Sequence, residues 1–358
     1  MKVYGVIMAG GGGTRFWPLS RQKRPKQLLN LTGKMPMINE AVERLSYIIE
    51  AENIFIVTNQ EQAASMLDVT KGLVLPEHIL LEPCARNTAA CIGYAALEIT
   101  KKYGDGVMVI TPSDHYIRNT DKFAEILKQG IQAADESGKL VTIGIKPTFP
   151  ATGYGYIKYE KEGNEIAKPV VSFKEKPDEQ TAKGYIESEE YLWNSGMFLW
   201  KASVILEKMK EHIPDIYREL LKIGDSMNTS AEKECIESVY PNLRKISIDY
   251  GVMEPASLKG EVLTIPGDFG WDDVGSWDMM KVLHDSDEAG NVFLGDVVGV
   301  DVSNTIAYSS GRTVAALGVD NLIIVETPDA VMVCPKDRAQ EVGRMAEHLI
   351  SMEHKELI

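Results

Sequence analysis

A chain of 358 residues, 44% hydrophobic and 25% charged, has the length and composition for one large α/β unit with a smaller one beside it. Its formal net charge of −14 argues against nucleic acid or an anionic membrane as a partner of the general surface, and leaves small anions held locally. No apolar run approaches the ~20 residues of a membrane span, and Gly10 to Gly13 interrupt the apolar stretch near the start, so no secretory pattern forms and a cytoplasmic location is expected. Cys84, Cys91, Cys235 and Cys334 have no zinc-type spacing and read as buried free thiols.

Val3 to Met8 reads as a buried strand. It runs into Gly10, Gly11, Gly12 and Gly13, then Thr14 and Arg15, and on to Pro25-Lys26-Gln27. Four glycines weaken a strand but let backbone N–H groups approach phosphate oxygens with no Cβ in the way. Lys2, Arg15, Arg21, Lys23, Arg24, Lys26 and Lys34 all precede the first acid, Glu40. An acidic protein thus concentrates positive charge around one loop, which points to a polyanion. A dinucleotide fingerprint fails, because Arg15 or Phe16 stands where the third glycine belongs and the next strand, Ile54 to Thr58, ends in Asn59 rather than an acid. That disfavours a nicotinamide oxidoreductase. A P-loop fails as well, since the order is Gly13-Thr14-Arg15.

Met37 to Ala51 has helical spacing, with Asn39 as N-cap. The strand–helix–strand order predicts a parallel sheet with right-handed crossovers and the glycine loop at its carboxyl edge, where open α/β sheets bind ligands. A short helix over Glu61 to Leu67 and a strand over His78 to Leu81 follow. Glu82 to Ala90 opens an Ala-rich helix reaching about Tyr103. Arg86, Asn87 and Thr88 can cap that helix, and Glu82 with Asn87 offers an acceptor and a donor suited to a purine edge. Val107 to Ile110 is a further strand, with Pro112-Ser113-Asp114-His115 at its end. A carboxylate there suits Mg²⁺, which takes one or two carboxylates and fills its shell with phosphate and water; His115 reads as a hydrogen-bonding neighbour.

Phe123 to Ser137 reads as an amphipathic helix and Leu140 to Ile145 as a strand. Gly153 and Gly155 bracket Tyr154 and allow close backbone approach to a ligand. Val170 to Phe173 leads to Glu175-Lys176-Pro177, and Asn194 sits in an Asn-Ser-Gly kink inside an aromatic strand, Leu192 to Trp200. Residues 201 to 240 read as packing helices. After the strand Val262 to Ile265, the adjacent acids Asp272 and Asp273 suggest a second metal ligand. From His284 on, the runs 291–302, 305–309, 313–317, 321–326 and 330–334 are short and β-rich, implying a small β-solenoid or sandwich, and 338–350 reads as a terminal helix.

The segment Gly11 to Ser20 with Pro25-Lys26-Gln27-Leu28 resembles the G-G-x-G-T-R-x-x-P-L-[ST]…P-K-[QP] signature of the sugar-1-phosphate nucleotidylyltransferases, in their mannose-1-phosphate guanylyltransferase branch. Six further stretches resemble that family in the same order: Glu82 to Ala89, Pro112 to His115, Gly144 to Ile157, Glu175 to Pro177, Asp249 to Glu254 and Trp271 to Gly275.

The resemblance implies a Rossmann-like, mainly parallel sheet flanked by helices over residues 1–283, and a small left-handed β-helix with a terminal helix over 284–358. It implies transfer of GMP from GTP to α-D-mannose 1-phosphate, with Mg²⁺ and release of pyrophosphate. It also implies Arg15, Lys26 and Lys176 as catalytic cations, with the glycine loop, Thr14, Glu82, Arg86, Asn87, Thr88, Pro112 and Ser113 on the nucleotide. Gly153, Tyr154, Gly155, Glu175, Lys176 and Asn194 fall on the sugar phosphate, with the helix at Asp249 covering it. Asp114 and Asp273 fall on the metal, with Asp272 in reserve. A homodimer is expected. Some relatives append an isomerase domain, and a chain ending at Ile358 is expected to carry a single activity. Thymidylyl or uridylyl transfer and a non-catalytic regulatory relative are the alternatives, the latter expected to lose Arg15, Lys26 or the aspartates.

Overall fold

A computed structural model describes the backbone of residues 1–358. Val3–Met8 (β1) is apolar on both faces and its interior residues are fully buried, which suits a central parallel strand. It pairs in parallel with Ile54–Asn59 (β2) on one side and Val107–Pro112 (β4) on the other, and Ile79–Glu82 (β3) adds to β2. Tyr116–Ile117 (β5) lies outside this sheet. Leu140–Ile145 (β6), Tyr156–Tyr159 (β7), Lys168–Lys174 (β8), Tyr191–Lys201 (β9) and Val262–Gly267 (β10) complete nine strands in the order β3-β2-β1-β4-β9-β6-β10-β8-β7. The long β9 runs antiparallel to both β4 and β6, and so welds the parallel half to the rest.

Helices cover both faces. Asn87–Lys102 (α3 in chain order, after α1 at Met37–Ser46 and α2 at Ala63–Val69) packs with Ala202–His212 and Pro214–Ser226 on one face, and α1 with Thr120–Ser137 (α4) on the other. α1 ends at Ser46, short of the expected Ala51, because the chain must drop Ile49 into the core beside Gly5 before entering β2. Its N-cap is Pro36. Asn39 lies inside the helix and donates its amide to the Val69 carbonyl at 3.0 Å. The strand expected at Val107 to Ile110 continues to Pro112.

Trp271–Asp272 (β11) pairs with β5. Beyond it, Val292–Leu294 (β12), Ile306–Ser309 (β14) and Leu322–Glu326 (β16) stack as one parallel ladder, and Val297–Val300 (β13) with Val314–Leu317 (β15) as a second; Val331–Pro335 (β17) closes the first ladder antiparallel. This is the solenoid option. The run expected over 291–302 is broken at Gly295, a coil corner where φ is 82° and a Cβ would lie 2.2 Å from the Ser309 carbonyl oxygen. The terminal helix divides into a 3₁₀ stretch, Lys336–Glu341, and an α-helix, Val342–Ser351. Of the cysteines, all free, only Cys91 is fully buried.

A third apolar cluster joins the solenoid to the sheet. Phe16 and Trp17 from the loop after β1, and Val274 and Trp277 from the segment after β11, pack with Val292, Ile306, Ile323, Val325, Ala339 and Val342. The side of the glycine loop that faces away from the sheet therefore rests on the far end of the chain. Among the described residues no helix is long and apolar enough to cross a membrane.

Candidate active site

β1, β2, β3 and β4 all run the same way, so their carboxyl ends deliver the glycine loop, Glu82 and Pro112-Ser113-Asp114 to a single edge. Asn194 comes to the same edge from the antiparallel β9, since it pairs with Gly144 near the end of β6. Sequence positions more than a hundred residues apart thus converge through strand direction alone.

The four glycines have different surroundings. Gly11 and Gly12 face open space, with nothing within 4 Å of a Cβ built on either. Gly13 has φ 57°, and a Cβ there would lie 2.5 Å from the Lys26 Cβ, so only glycine lets the loop lie on that lysine. Gly10 abuts Glu82: its added Cβ would come within 3.0 Å of Glu82 Oε2. The Gln27 amide fixes the loop from below, donating to the carbonyls of Ala9 at 2.7 Å and Gly11 at 3.1 Å, while Ser20 Oγ donates to the Gly13 carbonyl at 2.8 Å.

Lys26 is 5% exposed. Its Nζ donates to Asp114 Oδ2 at 3.0 Å and to the Asp273 carbonyl at 2.6 Å, so one ammonium ties together both expected metal-binding segments. Burial works to raise the pKa of Asp114, but the charge of Lys26, helped by His115, outweighs it and holds the carboxyl below its usual range. Burial pushes His115 down to about 4, so it is a neutral imidazole at pH 7, and its Nδ1 accepts from the Trp271 indole at 3.1 Å. Asp273 Oδ1 accepts from the Tyr154 hydroxyl at 2.9 Å. Asp272 is pushed up to about 6, first by burial, and its Oδ1 accepts from the Val274 N–H at 2.7 Å. Each of the two carboxylates thus has one oxygen engaged, Asp272 by the turn and Asp273 by the phenol. Val274 has φ 45°, a region that a β-branched residue enters only under constraint, and its side chain is fully buried in the third cluster.

Arg15 lies across from Asp273. A Cβ at Gly275 would lie 3.4 Å from both Arg15 Nη1 and Asp273 Oδ1, so that glycine keeps the space between them clear. The donors fit a hard divalent ion: two carboxylates and no sulfur, with an ammonium and a phenol already holding their orientation.

At the Glu82 end the residue is 4% exposed and its carboxylate accepts a hydrogen bond from the Tyr240 hydroxyl. Burial raises its pKa to about 7, against the opposing effect of that bond. Asn87 adopts φ 65° and its Oδ1 accepts from Thr88 N–H at 2.8 Å. Arg86 donates to the Pro241 carbonyl, and Thr88 Oγ1 accepts from the Ile248 N–H at 2.8 Å, so both side chains tie this segment to the 240s. Arg86, the residue that precedes α3, supplies no side-chain cap to it, whereas the Asn87 side chain takes the first-turn Thr88 N–H.

On the other side of the edge, Glu175 Oε2 lies over Gly155, where a Cβ would come within 2.5 Å. Asn194 Nδ2 donates to Asp249 Oδ1 at 2.7 Å, on the one-turn π-helix Asp249–Met253. Lys176 has φ 44° and its ammonium is 3.8 Å from Glu175, mostly in solvent. The structure thus gathers Arg15, Lys26, Asp114, Asp273 and Tyr154 tightly and leaves Lys176 at the rim. Sequence reading gave no role to Gln27, Tyr240 or Gln340, whose Oε1 accepts from Arg15 Nη1 at 2.8 Å. Gln27 stands inside the quoted signature, Tyr240 at the end of the stretch read as packing helices, and Gln340 in the terminal helix.

A glycine loop on a parallel sheet with paired cations and paired acids suits the phosphates of a nucleotide, and the chain belongs to the Nucleotidyl transferase family, whose model matches residues 4–289. The model of the MannoseP isomerase/GMP-like beta-helix domain matches residues 295–349. The chain is 42% identical to the xanthan biosynthesis protein XanB of Xanthomonas campestris pv. campestris (strain B100) over 97% of this chain and 73% of that protein. It is 36% identical to the mannose-1-phosphate guanylyltransferase of Escherichia coli K12 over the same shares of each. A crystal structure described as mannose-1-phosphate geranyltransferase from Thermus thermophilus superposes with a TM-score of 0.87 at 34% identity, covering 98% of this chain and 99% of that one.

Proposed function

We propose that this chain transfers GMP from GTP to α-D-mannose 1-phosphate, giving GDP-mannose and pyrophosphate. The observation that carries the reading is Lys26, whose buried ammonium joins Asp114 to the Asp273 segment directly beneath an open glycine loop. A phosphate oxygen of the sugar phosphate attacks the α-phosphorus of the nucleotide in line, and the bond to the departing pyrophosphate breaks. No side-chain nucleophile is needed, so catalysis is positioning and charge neutralisation. The Gly11 and Gly12 backbone and Arg15 hold the β- and γ-phosphates, and Lys26 meets the α-phosphate side from below. Lys176, solvent-exposed at the rim, reaches the sugar phosphate once it is bound. Asp114 and Asp273 would hold Mg²⁺, which when bound offsets phosphate charge. Glu82, ionised, accepts from the two N–H donors of guanine beside Asn87, with Arg86, Thr88, Pro112 and Ser113 shaping that end. Glu175, Asn194 and the Gly153-Tyr154-Gly155 turn receive the sugar.

We assign residues 1–283 as the catalytic unit and 284–358 as the β-helix with its helix, in a cytoplasmic homodimer. Exposed apolar residues on the β13–β15 ladder, Val298, Val300 and Leu317, support a partner on that face. The decisive assay is pyrophosphate release with each of the four NTPs against mannose and glucose 1-phosphates, with and without Mg²⁺. Turnover restricted to GTP, mannose 1-phosphate and Mg²⁺ is expected; a preference for dTTP or UTP would overturn the assignment.

A further inference from the structure

Arg15 is exposed, and among the described residues its one side-chain hydrogen bond to the protein is given to the opposite end of the chain. Gln340, in the 3₁₀ stretch before the terminal helix, accepts from Arg15 Nη1 at 2.8 Å through Oε1 and donates from Nε2 to Ser276 Oγ at 2.7 Å. A guanidinium has only donors, so the amide can face Arg15 only with its oxygen, which turns its NH₂ toward Ser276. Ser276 is fully buried and its hydroxyl donates in turn to the Asp278 carboxylate. The chain of donors runs one way, from Arg15 through Gln340 and Ser276 to Asp278, so each member orients the next.

The surroundings bring Gln340 to this place. Its neighbours Ala339 and Val342 are buried in the cluster that also takes Phe16 and Trp17, the residues just after Arg15. Gly343 lets the terminal helix close on the loop: a Cβ there would lie 3.2 Å from Thr14 Oγ1 and 3.7 Å from Arg15 Cγ. An arginine in open solvent samples many rotamers, and holding one of them lowers the entropy lost when a phosphate arrives. A neutral acceptor does this without cancelling the charge. A carboxylate in the same position would compete with the phosphates for it.

We propose that Gln340 is a positioning residue that presents the Arg15 guanidinium to the triphosphate, so that the nucleotide loop is set from the β-helix end of the molecule. This rests on Arg15 binding phosphate as argued above. The test is steady-state kinetics in both directions for Arg15→Ala, Gln340→Ala, Gln340→Glu and the double variant Arg15→Ala/Gln340→Ala, with melting temperatures. Gln340→Ala is expected to lower kcat/KM for GTP and for pyrophosphate on the order of 10-fold, the loss of one charged hydrogen bond, while KM for mannose 1-phosphate and the melting temperature stay at wild-type values. Gln340→Glu keeps the length but should raise KM for GTP further than alanine does. The double variant should be no worse than Arg15→Ala alone. If Arg15→Ala is impaired while Gln340→Ala is kinetically wild-type, or if the two losses multiply, the positioning role is overturned and the function stands. If Arg15→Ala itself turns over normally, both fall.

Discussion

Replacing Lys26 by methionine separates chemistry from folding. Methionine fills most of the same volume, so the change removes chiefly the ammonium that bonds Asp114 at 3.0 Å and the Asp273 carbonyl at 2.6 Å. Breaking a fully buried ion pair on one side costs ~3–5 kcal/mol. Here 38% of the Asp114 side chain is open to water, and screening brings the stability loss to about 1–2 kcal/mol. Catalysis should suffer more. A preorganised charge aimed at the phosphate is worth ~10²–10³ in kcat, or about 3–4 kcal/mol, because no solvent reorganisation is required when charge develops. Pyrophosphate release under saturating GTP and mannose 1-phosphate should therefore drop at least ~100-fold, while thermal unfolding moves by no more than about 3 °C. Turnover within threefold of wild type would refute the role given to this lysine. A collapse in melting temperature matching the rate loss would reduce Lys26 to a structural residue.

Other perturbations have equally definite expectations. Glu82 has its pKa raised by burial to about 7, so its protonated form, which cannot accept both guanine N–H bonds, accumulates below that pH. KM for GTP should climb as pH falls through 7, approaching tenfold per unit well below it, and Glu82→Gln should flatten this profile and weaken guanine preference. Because the folded pKa lies above the unfolded value of 4.5, the neutral carboxyl favours the fold at low pH and that contribution is lost as pH rises through about 7. Glu82→Gln should accordingly melt higher than wild type at pH 8, relative to the same comparison at pH 5. Gly13→Ala, at φ 57° and 2.5 Å from the Lys26 Cβ, should lower both stability and kcat, with a melting-temperature decrease as the check. Chelation with EDTA should abolish turnover yet leave the melting temperature nearly unchanged, since Lys26 already balances Asp114; unfolding on chelation would contradict that reading.

Much of this was legible in the residues. The strands β1, β2, β3, β4 and β6 declare themselves as short apolar runs, and the clustering of cations before Glu40 marks the loop they serve. Elements set by tertiary demand were less visible. The end of α1 depends on Ile49 reaching the core beside Gly5, and the break at Gly295 depends on the Ser309 carbonyl of the next coil. Within the site, the residues that the structure brings to one sheet edge could be picked out where they fall inside compact motifs. What escaped are contacts made by long-range packing: Tyr240 on Glu82, Gln340 on Arg15, and the ties of Arg86 and Thr88 to the 240s. A Tyr or Gln amid amphipathic helices carries no local mark of the partner it will meet.

The shared core of Phe16, Trp17, Val274 and Trp277 with the solenoid has a practical consequence for protein engineering. A chimera that grafted a foreign carboxyl-terminal module onto these first 283 residues would expose an aromatic seam directly behind the reactive loop. Transplants should succeed only when Ala339, Val342 and Ala346 travel with their aromatic counterparts as a matched set. Homologues that have drifted on one side of that seam should have drifted on the other.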